Sequence, residues 1–455
     1  MGESLSWPLP VHGAGEIVIS FVTCRLDQIM KAASRVAACL ELRYQHLLRH
    51  LASLDGMSGS AMVDAARHIP LRDDPWDRDA AVAAIGEIVE DALAHFDEQK
   101  FWPSHPQEGG VADGTSNLYY GAAGVIWALT YLAEVGATRK RANFQPSIPH
   151  LLTRNRAELT EETYSKPASL LIGDLGILLL AMKLDPKSAT ADAIHARAIV
   201  NNDLPVRELM WGLPGSMLAC IFMTQMTGEA RWRSLFEMQA ARLLSELEET
   251  EEGPLWTQDL YGSKRRWLGS VHGYAGNMIP LLRGWEWLTP AQRDRVSDAV
   301  PRTLEANARR SDLGANWYGI VDPGPVPKLC QHCHGAPGMV TTFADAPFTT
   351  PGLEALLLAG GEFTWRTGPL AKGSNLCHGT GGNGYAFLKL YRRTRNSHWL
   401  KRARAFAMTA IAQWREASIQ YGQGRYSLWT GDVGLAIYLW DCITADPHFP
   451  TVDVF

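Results

Sequence analysis

The sequence predicts an all-α protein: an (α/α) toroid of seven inner and seven outer helices with Gly-x-x-Gly turns, plus an N-terminal appendage. Three observations carry this expectation. Gly-x-x-Gly occurs seven times in similar settings, with first glycines at Gly121, Gly173, Gly212, Gly273, Gly335, Gly379 and Gly431. An apolar run follows each, as in "GAAGVIWAL" and "GDVGLAIYL". The segments between them carry apolar residues at helical spacing.

The steps between first glycines are 39 to 62 residues, room for two helices and a loop. Ahead of the first phrase, residues 79–97 place Val82, Ile85, Val89, Leu93 and Phe96 on one helical face. Ahead of the last, residues 400–415 do the same with Leu400, Ala403, Phe406, Ala407, Ile411 and Trp414. These read as outer, amphipathic helices. The runs after the glycines are apolar on nearly every side and read as inner helices buried all round. Closing seven such pairs into a ring leaves no inner edge exposed. The glycines let the chain turn tightly and let backbones approach closely. A phosphate-cradling role for these loops lacks the preceding strand and the P-loop lysine.

The repeat occupies 74–455 and overrides the soft expectation of about three domains that length alone suggests. Residues 1–73 form the appendage, with a strand over 15–22 and a helix over 26–52. Met-Gly-x-x-x-Ser at the start, through Gly2 and Ser6, matches the short myristoylation pattern.

Apolar residues make up 46% and charged residues 20%, as in a globular protein with a large core. The net formal charge of −5, without a basic block, gives no reason to expect a nucleic-acid partner. Sixteen tryptophans suit a thick core or an aromatic-lined cavity. Seven cysteines, odd in number and mostly isolated, do not make a disulfide framework. They fit a reducing compartment, so a cytoplasmic location is expected. No stretch approaches the ~20 apolar residues of a membrane span.

The chemistry lies just before the glycines. "QHCHGAPGM" begins at Gln331 and "NLCHGTGGNGY" at Asn375. If all seven turns lie at one mouth of the ring, Cys333, His334, Cys377, His378 and His272 crowd together there. Glu208, Trp211, Trp429 and Thr430 approach the rim. Zinc takes thiolate and imidazole ligands tetrahedrally, and a catalytic zinc keeps one position open. Cys333, Cys377 and His378 supply such a set only if the fold joins turns 44 residues apart. Buried inert thiols are the plain alternative. Cys330 and Cys333 also form C-x-x-C, interleaved with His332 and His334, which suits a redox pair or half a structural zinc site.

"CHGAPG" at 333–338 and "LCHGTGGNGYAFLKLY" at 376–391, supported by "HGYAG" at 272–276 and "SLWTGDVGLAIYLWD" at 427–441, resemble the lanthionine synthetase C-like family over 76–455. The resemblance implies a double ring of seven and seven helices with one catalytic Zn2+ on Cys333, Cys377 and His378. It implies that His272 acts as acid/base and that Glu208 stands where cyclase members carry Asp. Lys372 matches a lysine that helps hold glutathione in the animal branch. His334 and Trp211 are further substrate-binding candidates. Family members usually carry Trp where this chain has His332, and no N-terminal arginine of the animal branch is matched.

The implied reaction is zinc-dependent Michael addition of a thiol to dehydroalanine or dehydrobutyrine in a peptide or protein. The Glu208 and Lys372 phrases favour glutathione transfer over intramolecular lanthionine ring formation. The expected partners are therefore a dehydroamino-acid-containing peptide or protein and a thiol such as glutathione. Two other readings stand beside this one. The chain could be a non-catalytic protein that holds zinc for structure. It could instead be an α/α-toroid glycoside hydrolase using Glu208, Asp174 and Asp432 as paired carboxylates.

Overall fold

The computed structural model describes residues 62–108, 114–159, 168–204, 206–260, 262–321 and 327–455. The strand and helix expected over 15–22 and 26–52, and the Gly2/Ser6 pattern, lie outside these.

Fourteen α-helices alternate between two layers in the described residues. The outer helices are α1 (Arg78–Ala94), α3 (Ile148–Glu158), α5 (Ser188–Val200), α7 (Ala230–Ser245), α9 (Pro290–Asn307), α11 (Pro351–Thr367) and α13 (Ser397–Tyr421). The inner helices are α2 (Ala122–Glu134), α4 (Asp174–Leu184), α6 (Leu213–Thr227), α8 (Tyr274–Arg283), α10 (Ala336–Phe343), α12 (Thr380–Thr394) and α14 (Asp432–Thr444). Each inner helix packs on the next, and α14 packs on both α2 and α1, which closes the ring. Two short antiparallel hairpins decorate it, β1 (Gln258–Leu260) with β2 (Ser263–Arg265) and β3 (Arg309–Ser311) with β4 (Gly314–Asn316).

The layers differ as the apolar patterns require. Every residue of α10 is buried, whereas α1 buries one stripe: Ala81, Ala84, Ile85, Ile88, Val89 and Ala92. Val82, expected on that stripe, is 40% exposed, because the buried face is set by the alanines beside it. Asp77 caps α1 by accepting from the backbone of Asp79 and Ala80, satisfying N–H groups that a helix start leaves open. Trp127, Trp232, Trp256, Trp317, Trp399 and Trp429 are fully buried, so many of the tryptophans serve the core.

The Gly-x-x-Gly phrase has a steric cause that recurs seven times. The first glycine is the N-cap of an inner helix in every unit. The second meets the backbone carbonyl six residues earlier: Gly382 lies under Leu376, and a Cβ there would stand 1.7 Å from that oxygen. The turn thus doubles back tightly over its own helix start, and only glycine lets it. In six of the seven units the residue that supplies this carbonyl also covers the second glycine of the next unit. Leu118 covers Gly176, Leu376 covers Gly434, and Leu428 of the last unit covers Gly124 of the first.

Residues 446–455 close the base of the ring. Phe455 packs on Trp127 and Phe222, and Asp453 pairs with Lys389 and Arg283.

Candidate metal centre

All seven turns meet at the N-terminal ends of the inner helices, and hydrogen bonds link them into a band. Tyr119 N donates to Leu171 O (2.9 Å), Leu209 N to Val271 O (3.2 Å) and Ser270 Oγ to His332 O (2.6 Å). Cys333 N donates to Cys377 O (3.1 Å), Cys377 N to Trp429 O (2.8 Å) and Trp429 N to Tyr119 O (2.9 Å). Equivalent positions of successive turns therefore become neighbours. That is how two cysteines 44 residues apart come to share one backbone hydrogen bond.

One ligand atom each from Cys333, Cys377 and His378 lies within 4.8 Å of the others. Both cysteines are buried, and His378 Nε2 is buried with no hydrogen-bond partner. Tyr119 Oη donates to Cys377 Sγ (2.7 Å) and Gln331 Nε2 to Cys333 Sγ (3.0 Å), so each sulfur has one donor that favours a thiolate. Arg67 in turn donates to Gln331 Oε1 (3.1 Å), fixing that amide. The Cys377 thiol's hydrogen bond, then the neighbouring histidines, hold Cys333 well below the ordinary thiol range. Cys377 is pushed up by the same bond. Two crowded sulfurs and an imidazole fit a divalent cation of borderline softness, and zinc suits this donor set. Three protein ligands leave a fourth tetrahedral position for something else.

Cys330 stands apart from this group. Its sulfur lies 3.4 Å from Thr367 Oγ1, and burial pushes its thiol up to about 12. The two sulfurs of the C-x-x-C phrase thus have different partners, Cys330 with Thr367 and Cys333 in the group with Cys377 and His378. His332 is also not at the mouth. It stacks on Phe449 at 4.3 Å, below the band, and burial lowers its imidazole to about 4.

His272 and Glu208 occupy the next two turns. Glu208 Oε2 accepts from His272 Nδ1 at 2.9 Å. Glu208 is fully buried and also accepts from the backbone of Met210 (3.1 Å) and Trp211. This explains its position. Four residues before the first glycine stands a turn-capping acceptor: Asn117 takes Tyr119 N and Tyr120 N, and Asn375 takes His378 N. Glu208 does the same and has a lone pair left for His272. The carboxylate fixes the histidine with its proton on Nδ1.

The His334 ring lies 6.2 Å from that of His272, between the histidine–carboxylate pair and Cys333. It fits there because Gly269 and Gly319 flank it; a Cβ at Gly319 would stand 2.6 Å from its Nδ1. Burial lowers its pKa. Trp211 is buried beside Glu208, and Lys372 is exposed on the rim, where its charge favours the Cys377 thiolate. Glu108 accepts from Arg425 (2.6 Å) and Thr430 (2.6 Å) near the same rim.

The structure thus brings together the metal-ligand candidates and, beside them, His272, Glu208 and His334. Sequence reasoning missed Tyr119, Gln331 and Arg67. Aligning the seven phrases finds Tyr119, since it stands two before Gly121 as Cys377 stands two before Gly379. The carboxylates of the hydrolase reading are committed elsewhere. Asp174 pairs with Arg156 and Arg197, Asp432 accepts from Arg425 N, and Glu208 holds His272.

A family model described as lanthionine synthetase C-like protein matches residues 112–454. The zebrafish (Danio rerio) protein named glutathione S-transferase LANCL1 is 28% identical over 263 residues, covering 54% of this chain and 62% of that protein. LanC-like protein GCL1 of Arabidopsis thaliana is 31% identical over 196 residues, covering 42% and 44%. The chain thus spans less than two thirds of the length of either relative. The solved structure of nisin cyclase superposes with a TM-score of 0.55 at 14% identity, covering 78% of this chain and 93% of that one.

Proposed function

The chain belongs to the lanthionine synthetase C-like family, and from that premise we propose that it adds a thiol to dehydroalanine or dehydrobutyrine residues of a peptide or protein. One zinc ion on Cys333, Cys377 and His378 would assist. The observation that carries this reading is the placement of a two-sulfur, one-imidazole cluster beside the Glu208–His272 pair. A bound zinc supplies thiol activation, because a thiol that coordinates it is deprotonated.

The protein's own residues account for the rest. Tyr119 and Gln331 hold the two cysteine sulfurs in place. The reaction forms a bond from the incoming sulfur to the β-carbon, and the electron pair of the C=C bond moves toward the carbonyl. The α-carbon then takes one proton, replacing in the balance the one the thiol lost. His272 is the donor we assign: Glu208 accepts from its Nδ1 and orients the ring, and imidazole can serve as a general acid. The cation of Lys372 is placed to attract a carboxylate on the thiol. Glutathione is favoured as that thiol, from Lys372, from Glu208 and from the name of the zebrafish relative. A cytoplasmic setting, where glutathione is plentiful and thiols stay reduced, is part of the same proposal.

Mass spectrometry of a dehydroalanine peptide incubated with the zinc-loaded protein tests the reading. A glutathione mass gain is expected. A peptide with an internal cysteine would instead show a blocked thiol at unchanged mass if the chain forms rings. Cys333→Ala and Cys377→Ala should lose both zinc and product. His272→Ala should keep zinc and lose about 10²–10⁴-fold in rate. Absence of both products with fully zinc-loaded protein overturns the proposal in favour of a structural metal.

A further inference from the structure

A cavity of about 440 Å³ lies on the other side of the turn band from the mouth. Its roof is Ser270, His332 and Trp429, on the underside of the band. Its walls are the C-terminal ends of α8, α10 and α12, and its floor includes Phe449, Val452 and Asp453. The metal ligands stand at the opposite, N-terminal ends of these inner helices. A helix of ten residues, as in α8, spans about 15 Å. Arg392 and Asp345, 31% and 24% exposed, give the cavity its way out to solvent.

The repeat explains why a cavity opens here. The position three before each first glycine is Leu118, Leu170, Leu209, Leu376 and Leu428 in five units. In the other two it is Ser270 and His332, and those two side chains roof the cavity. Elsewhere leucines plug the ring from below; in this sector the plug is polar.

Three polar atoms on its lining have no hydrogen-bond partner: His332 Nδ1, Thr342 Oγ1 and Arg283 Nε. His332 and Thr342 are 3% and 6% exposed. Unpartnered buried polar atoms occur at several places among the described residues, but these three surround one open space, where a single bound group could satisfy them. Arg283 Nε is a donor only, and Thr342 can donate. The charge balance points the same way. The lining carries Arg283, Arg392 and Arg393 against Asp345 and Asp453, and buried Lys389 and the Glu354 partner of Arg393 add one charge of each sign. One positive charge remains on the lining and its direct ion-pair partners, with Asp446 also acting on Arg392 from outside the lining. Ile279, Leu282, Phe449 and Val452 make the remaining wall apolar.

We propose that this cavity is a second ligand site, for a small organic monoanion: a carboxylate received by Arg283 and Thr342, on an apolar body that lies against Phe449 with His332 above it. The site is separate from the mouth, and the proposal does not rest on the thiol-addition reading.

Calorimetric titration of the zinc-loaded full chain with phenylacetate, and with neutral phenylacetamide as its isostere, tests the site. Saturable one-site binding of phenylacetate is expected, about tenfold or more tighter than the amide, the worth of one charge-assisted hydrogen bond. Arg283→Gln and Thr342→Val should each weaken phenylacetate by a similar factor. His332→Trp should abolish binding by filling the roof, with zinc content unchanged. Cys377→Ala, which targets the mouth, should leave phenylacetate binding as it was. Equal affinity for acid and amide, no saturable binding, or undiminished binding in folded His332→Trp and Thr342→Val would each overturn the proposal.

Discussion

Single atoms decide whether the thiol pair is a metal site. Tyr119 Oη and Gln331 Nε2 each donate to a cysteine sulfur. Partners of this kind hold ligands at the right angle and tune their basicity. Tyr119→Phe should therefore keep the fold and lower zinc affinity by roughly 10–100-fold, read by competition with a chromogenic chelator. Unchanged affinity would mean that the hydroxyl does not serve the sulfur. A second test at this scale concerns Asp432, whose pKa is raised to about 7, first by burial. Between its ordinary value near 3.8 and 7, the unfolded chain has lost this proton while the native protein keeps it. The native state then binds more protons, so stability falls as pH rises through that window. Urea midpoints at pH 5 and pH 7.5 should drop less in Asp432→Asn than in the unaltered chain.

Each turn–helix unit is set by glycines that meet a carbonyl six residues back. The phrase was legible in the sequence because steric exclusion at this contact admits one residue type. Gly382→Ala forces a Cβ to within 1.7 Å of Leu376 O, and the backbone beside Cys377 must move. A loss above about 2 kcal/mol in urea unfolding is expected, together with weaker zinc retention. Gly86 in the outer helix α1 is the control, since a Cβ there meets nothing within 4 Å. Gly86→Ala should instead gain roughly 0.5–1 kcal/mol. Similar effects from both substitutions would remove the close-approach argument. Element faces were less legible. Val82 reads as core by spacing yet is exposed, because periodicity gives a stripe and packing chooses its centre.

The whole ring is held by its helices and needs no metal to close. Six tryptophans are fully buried, most of the inner layer is buried, and α14 returns to α1 and α2. Chelation should therefore leave the far-ultraviolet circular dichroism nearly unchanged and lower the melting temperature, since only the native state presents the three ligands together. Collapse of helicity on chelation would make the metal structural and count against an open catalytic position.

The sequence by itself determined the repeat, the two helix classes and the three metal-ligand candidates. All of these follow from local rules: apolar period, glycine sterics and ligand type. It could not show which positions of distant turns touch. Tyr119 reaching Cys377, Glu208 gripping His272, Cys330 turning away to Thr367 and His332 dropping below the band depend on how neighbouring turns hydrogen-bond around the ring. Those contacts join residues 37 to 258 positions apart, and chain closure over such distances leaves no mark in local pattern. Only packing all seven units at once fixes them.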